Sequence, residues 1–356
     1  MNAFQGKSTQ QLNRSSNIEL FRIVAMIAIV VHHYVLHSGL LTNYVDANPL
    51  ANRSVFLSVL GMWGKTGINC FVLITGYYMC KSHITVRKFV KMICQIEFYN
   101  ILITFIFVGY GYDYHFTEVV KDILPIKDVS DKFVSCFLLF WLTIPFLNAS
   151  ISQMSRLQHK WITILLLTIY IVLPYIPGFR VWYNYVIWFS VLYLVSSYVR
   201  LYGLFLNRSL WFWTFASIFS IILAISSVVF LNYMNAKGSW SCWRYWLVSD
   251  SNAPLAFLVA LCLFMMFKNM QLPHSKFINL IGGSTFGIYL IHDNSDAMRK
   301  WLWNDFLHIS NTCSNDIVYL CAIVVPIGVF ISCSIIEIIR KKLVETPMMM
   351  LYDNLV

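Results

Sequence analysis

The residues best suited to chemistry lie in the first apolar stretch. It opens Asn17-Ile-Glu19-Leu-Phe-Arg22 and, after an apolar run, reads His32-His33-Tyr34, with His37 one turn further on. At 100° per residue, the eleven positions from Arg22 to His33 return a helix to within about 20° of the same face. The two groups then sit about 16 Å apart along the axis. His37 extends that stripe, while His32 points roughly 100° away. Imidazole exchanges a proton near neutral pH, which is what a buried general base needs. Depth and the shared stripe therefore favour a functional His33. For Arg22 two readings stay open: a member of the same site, or an arginine snorkelling to headgroups with Glu19 as its i, i+3 partner.

Further polar groups recur inside apolar stretches. The second stretch carries Gly61-Met-Trp-Gly64-Lys65-Thr-Gly67-Ile-Asn69. Its glycines permit close helix approach or a break that exposes backbone to a cavity. Lys65 and Asn69 are donors able to steady a developing oxyanion, and Lys65 also reads as a snorkelling lysine. The third stretch opens with Arg87, Lys88 and Lys91, either an ordinary basic anchor or a phosphate-binding patch. Glu97 lies deeper and needs a partner, for which Arg22 is one candidate. The ninth stretch reads Ser284-Thr285-Phe-Gly-Ile-Tyr289-Leu-Ile-His292. Tyr289 is a further donor, and His292 is either substrate-positioning or a boundary residue. Glu337 in the tenth has Arg340 and Lys341 within helical reach.

The elements that must position these groups are dictated by composition. Of 356 residues, 58% are hydrophobic and 12% charged, against roughly 45–50% and about 25% in soluble domains. Mean hydropathy is +0.65, and apolar runs near the roughly 20 residues that span a bilayer recur throughout. They predict an all-α polytopic transmembrane bundle of about ten helices, at 18–38, 54–79, 87–110, 131–150, 161–176, 182–202, 209–232, 246–268, 276–292 and 315–339. The fifth and ninth are short, which suits a tilted or re-entrant element. The first run lacks a small-residue cleavage site and is expected to stay as helix 1 rather than serve as a signal peptide. Residues 1–17 then form an N-terminal cytoplasmic segment, 18–342 the transmembrane domain and 343–356 a cytoplasmic tail.

With both termini inside, fifteen basic residues face the cytoplasm against two acidic ones, Glu345 and Asp353. Every inner loop then obeys the positive-inside rule. The net charge of +10 is accordingly read as topology and lipid headgroup contact, not nucleic-acid binding. The nine cysteines show no CxxC pair and no zinc spacing, so no metal is expected. Should Cys242 and Cys313 both fall in outer loops, a disulfide between them is permitted.

The stretch Ile18-Glu-Leu-Phe-Arg22-Ile-Val-Ala-Met26 leading to His32-His33 resembles the opening of the acyltransferase 3 family, whose first helix carries Arg or Lys, ten residues, then His. Gly67-Ile-Asn-Cys-Phe-Val-Leu-Ile-Thr-Gly-Tyr-Tyr-Met79, Pro145-Phe-Leu-Asn148 and Thr285-Phe-Gly-Ile-Tyr-Leu-Ile-His292 are similar to its bacterial glycan O-acetyltransferase branch. Many relatives have Tyr-Trp-Phe near the start of helix 4, where this chain reads Lys132-Phe-Val-Ser. The resemblance implies acyl-CoA, usually acetyl-CoA, as co-substrate with no permanently bound cofactor. It also implies a polysaccharide or lipid-linked glycan hydroxyl as acceptor, a multi-pass protein of the bacterial plasma membrane and an essential helix 1 histidine. Basic residues at the inner end of helix 3 are implied too, matched here by Arg87, Lys88 and Lys91. On that reading CoA phosphates dock beside Arg22 and this cluster, the pantetheine arm follows the helix 1 stripe, and His33 deprotonates the acceptor, with Lys65, Asn69, Tyr289 and His292 positioning. A secondary transporter or glycan flippase would also show glycine-broken helices and intramembrane charges. No inverted repeat is seen to support it.

Overall fold

The computed structural model describes residues 15–355 except 83, 113–114, 128, 130–131, 204–207, 239–242 and 313–315, together with the side chain of 312. Cys242, Cys313 and most of the N-terminal segment therefore lie outside the described residues. In chain order the helices are α1 (Ser16–His37), α2 (Asn52–Leu60), α3 (Gly64–Met79), α4 (Val86–Gly109), α5 (Phe116–Ile123), α6 (Phe133–Gln153), α7 (Arg156–Leu167) and α8 (Tyr185–Tyr202). There follow α9 (Leu210–Ala236), α10 (Pro254–Asn269), α11 (Lys276–Gly282), α12 (Thr285–His292), α13 (Asp296–Lys300), α14 (Ile309–Thr312), α15 (Ile317–Arg340) and α16 (Thr346–Leu355). The described residues contain no strand.

Each predicted span coincides with helix. Eight segments are long and apolar enough to cross a membrane, among them Asn52–Met79 and Arg156–Tyr175. The other two fall short of that length. Pro254–Asn269 starts later than expected, because Pro254 can enter a helix only in its first turn. The segment 276–292 is broken at Gly283-Ser284 into α11 and α12. Outward faces are apolar, as lipid-facing surfaces are: Trp211, Phe215, Phe219 and Ile222 of α9 are all exposed.

Helix α1 is central, packing on α3, α10, α11, α12 and α15. Small residues set these approaches. A Cβ on Gly67 would lie 2.6 Å from Ile29 and 3.0 Å from the Ala25 carbonyl oxygen, so α3 lies against α1 only because Gly67 has no side chain. Gly287 does the same for α12 against Glu337 of α15. At the end of the bundle where α1 begins, Asn17 donates to the Phe267 and Met270 carbonyls at 2.8 and 2.9 Å, satisfying acceptors left open at the end of α10. Lys341 reaches the Gly283 carbonyl at the same end, so α1 starts and α15 finishes on one face, here termed the terminal face. On the opposite, distal face, Asn304 caps the His37 carbonyl at 2.9 Å.

The carboxylate of Glu337 is fully buried and stabilised by a network. Arg340 donates to it at 2.8 and 2.9 Å, Tyr99 at 2.7 Å and Gln95 at 3.1 Å. Lys341 lies 3.6 Å away. The expected helical partners are thus found, and α4 supplies two more donors. A buried carboxylate needs this many, since its desolvation is repaid only with excellent geometry.

Candidate active site

The helix break at Gly61-Met62-Trp63, between α2 and α3, opens a cavity of about 340 Å³ toward the distal face. Its walls include His32, His33, His37, Lys65, Phe133, Tyr185, Tyr289, Asp293 and Arg299. Irregular backbone at this depth is tolerated only where it is buried in protein or lines a cavity. His32 answers part of that demand. Its Nδ1 lies 2.5 Å from the Gly61 carbonyl oxygen, so it donates there and braces the break.

His33 is held differently. Its Nδ1 lies 3.0 Å from Nε2 of His292, and Nδ1 of His292 lies 2.7 Å from the Ile288 carbonyl oxygen. A carbonyl only accepts, so His292 carries its proton on Nδ1 and offers Nε2 as acceptor. His33 must then be protonated on Nδ1, which leaves the lone pair on its Nε2. Within the described residues the hydrogen bond of His33 is made through Nδ1, and its side chain lines the cavity. Asp293 lies 3.6 Å from His33 and 4.0 Å from His37, where its charge would stabilise an imidazolium. Asp293 is in turn gripped by Arg299 at 2.5 Å, and Arg299 also holds Asp296 at 2.7 Å.

His33, His37 and Asp293 place three ligand atoms within 4.8 Å of one another, a donor set able to hold a divalent cation. The Arg299 guanidinium already occupies Asp293, so a cation would have to displace it.

Lys65 donates to the Tyr185 hydroxyl and lies over its ring, 5.1 Å from the centroid. Tyr289 packs its ring 6.2 Å from that of His33 and 5.0 Å from Phe133. A second chamber of about 320 Å³ shares Lys132, Phe133, Tyr289, Asp293 and Arg299 with the first. Lys127 lines it; burial pushes this ammonium below the ordinary lysine value, against the opposing pull of Asp122 at 3.4 Å.

Toward the terminal face a narrow chamber of about 130 Å³ runs from Arg22, and its walls share Ile29, Ile68, Phe133 and Tyr289 with the main cavity. The Arg22–His33 stripe is thus flanked by two adjoining spaces. Arg22 pairs with Glu19 at 3.7 Å, not with Glu97. Glu97 sits eleven residues into α4, about 16 Å along the helix, too far toward the distal face, and its electrostatic neighbour is Lys127.

The other expected residues are placed elsewhere. Asn69 is fully buried, accepting from Trp188 Nε1 at 2.9 Å and donating to the Ser251 carbonyl at 2.7 Å. Its amide lines neither chamber of the stripe. Arg87 makes a two-bond ion pair with Asp353 at 2.7 and 2.8 Å, Lys91 pairs with Glu345 at 2.6 Å, and Lys88 donates to Ser82 at 2.8 Å. None of the three lines the Arg22 chamber. The sequence does not mark Arg299 or Tyr185 as site residues, and the signal for Asp293 is its place directly after His292.

A family model described as an acyltransferase domain matches residues 15–337, and the chain belongs to the acyltransferase 3 family. Neither curated proteins nor solved structures yield a match. The protein is a multi-pass membrane protein with an acyltransferase domain over nearly its whole length.

Proposed function

We propose that this protein moves an acetyl or other short acyl group from acyl-CoA to a hydroxyl of a surface polysaccharide or its lipid-linked precursor, with His33 as general base. The observation that carries this reading is the tautomer chain from the Ile288 carbonyl through His292 to His33, which leaves a basic Nε2 at the cavity. The adjoining chamber from Arg22 to Tyr289 is narrow and largely apolar, which suits a pantetheine arm entering from the terminal face. That face is cytoplasmic on the charge asymmetry, in a bacterial plasma membrane, and acyl-CoA is made in the cytosol.

The acceptor oxygen attacks the thioester carbonyl as its proton passes to His33 Nε2. The Asp293 charge stabilises the imidazolium, and Lys65 or Tyr289 donates to the oxyanion. The C–S bond then breaks, the thiolate takes the proton from His33, and CoA leaves as the free thiol.

The test is release of CoA thiol and acylation of membrane glycan by the parent and by His33→Ala at matched protein levels. Loss of a general base costs typically about 10²- to 10⁴-fold in rate. Near-parent activity of His33→Ala would overturn the assignment.

A further inference from the structure

The main cavity carries two lysines, of which the proposed acyl-transfer step calls on Lys65 alone, and there only as the alternative to Tyr289. Lys65 and Lys132 both line it, and among the described residues neither has a carboxylate within ion-pair distance. The nearby carboxylate, Asp293, is spent on Arg299 at 2.5 Å. Lys65 uses one of its three donors on the Tyr185 hydroxyl, which leaves two N–H groups and the phenol proton free to serve a ligand. At the mouth, Trp243 is 59% exposed. Its ring meets that of the buried Tyr245 edge-on, with centroids 5.6 Å apart, and the next residue, Arg244, is ion-paired with Asp46 at 2.6 Å. An exposed indole at the edge of a polar cavity is a platform for the C–H face of a pyranose ring.

Resting on the transferase reading above, we infer that this cavity seats an acceptor sugar bearing an anionic group, carboxylate or phosphate, held between Lys65 and Lys132 with its ring against Trp243. The anion supplies a counter-charge that neither lysine finds among the described residues, through charge-assisted hydrogen bonds, and Lys132, exposed at the cavity edge, is the first of the two that it meets. Seated there, the sugar lies in the same cavity as His33, so recognition and deprotonation occur in one space. A neutral sugar forgoes that pairing and is bound less tightly, which makes the two lysines a selector of acidic acceptors.

The experiment is equilibrium binding by microscale thermophoresis to the full chain in nanodiscs, without acyl-CoA. The probes are a galacturonic acid trisaccharide, the same trisaccharide carboxyl-reduced to galactose, and galactose 1-phosphate against galactose. At least one acidic probe should bind tenfold or more tightly than its neutral counterpart, and high salt should narrow the gap. A preference for the uronate places the anion in the glycan; a preference confined to the phosphate places it in a sugar-phosphate headgroup. Lys65→Gln combined with Lys132→Gln should remove the preference, and arginine at both positions should restore it. Trp243→Ala should weaken acidic and neutral probes alike. Equal binding of acidic and neutral probes, no binding of either acid, or a preference surviving in the double glutamine variant would overturn the inference. Because binding is read without turnover, a protein that discriminates yet releases no CoA would refute the transferase reading alone.

Discussion

His33 Nδ1 and His292 Nε2 lie 3.0 Å apart although 259 positions separate them in the chain. The contact makes His292 a positioning residue, since it fixes which nitrogen of His33 is basic without itself touching the reacting atoms. His292→Ala should therefore lower kcat by about tenfold or more while leaving the KM for acetyl-CoA unchanged. His292→Gln, whose carbonyl oxygen can still accept from His33, should recover part of it. The check is steady-state kinetics on both variants with insertion confirmed. Equal loss in Ala and Gln would assign His292 a merely structural role.

Helix positions were legible because apolarity must persist for the length of a bilayer, and that requirement is written residue by residue. The Arg22–His33 stripe was legible for a similar reason: eleven positions return to one face whatever surrounds the helix. Partners across the bundle were not. Asp293 and Arg299 read as ordinary outer-loop charges until the fold brings Asp293 against His33 and Arg299 against Asp293, and only its place directly after His292 sets Asp293 apart from Asp296. The depth of Asn69 is visible in the sequence and suits an oxyanion donor, but the consumption of its amide by Trp188 and Ser251 is not visible there. The Arg22–Glu97 pairing failed on depth, which depends on where each helix enters the membrane.

The basic cluster on α4 carries a testable competition. Arg87 and Lys91 are already paired with Asp353 and Glu345, so CoA phosphates docking there must displace those carboxylates. Asp353 is the cleaner probe, because Glu345 also holds the buried Arg340 at 2.5 Å. Asp353→Asn should lower the KM for acetyl-CoA severalfold, and neutralising Arg87, Lys88 and Lys91 together should raise it and flatten its salt dependence. An unchanged KM in both would reduce the cluster to a topology anchor that also clamps the tail.

Orientation rests on charge counting and is open to direct measurement. Lys121 on α5 is exposed at the distal face. A single cysteine at this position, in a cysteine-depleted background, should react with a membrane-impermeant maleimide in intact cells. A cysteine at Leu355 should react only after permeabilisation. The reverse pattern would invert the bundle and place the main cavity in the cytosol.

Arg299 bears on whether the histidine cluster can take up a metal ion. His33, His37 and Asp293 already hold three ligand atoms within 4.8 Å, and two imidazoles with a carboxylate are a common zinc donor set. The guanidinium on Asp293 satisfies the carboxylate and adds a positive charge that repels a cation. Removing it leaves a buried carboxylate without its partner, an expensive state that a divalent ion would relieve. Arg299→Gln should therefore become sensitive to micromolar Zn²⁺, which occupies His33 and blocks the base, while the parent tolerates the same concentration. A chelator should restore the residual activity of the variant, and adding His37→Ala should abolish the sensitivity by removing one ligand. Activity titrations against Zn²⁺ in the parent, the single variant and the double variant decide the matter. Equal Zn²⁺ sensitivity in parent and Arg299→Gln would show that the arginine does not guard the triad.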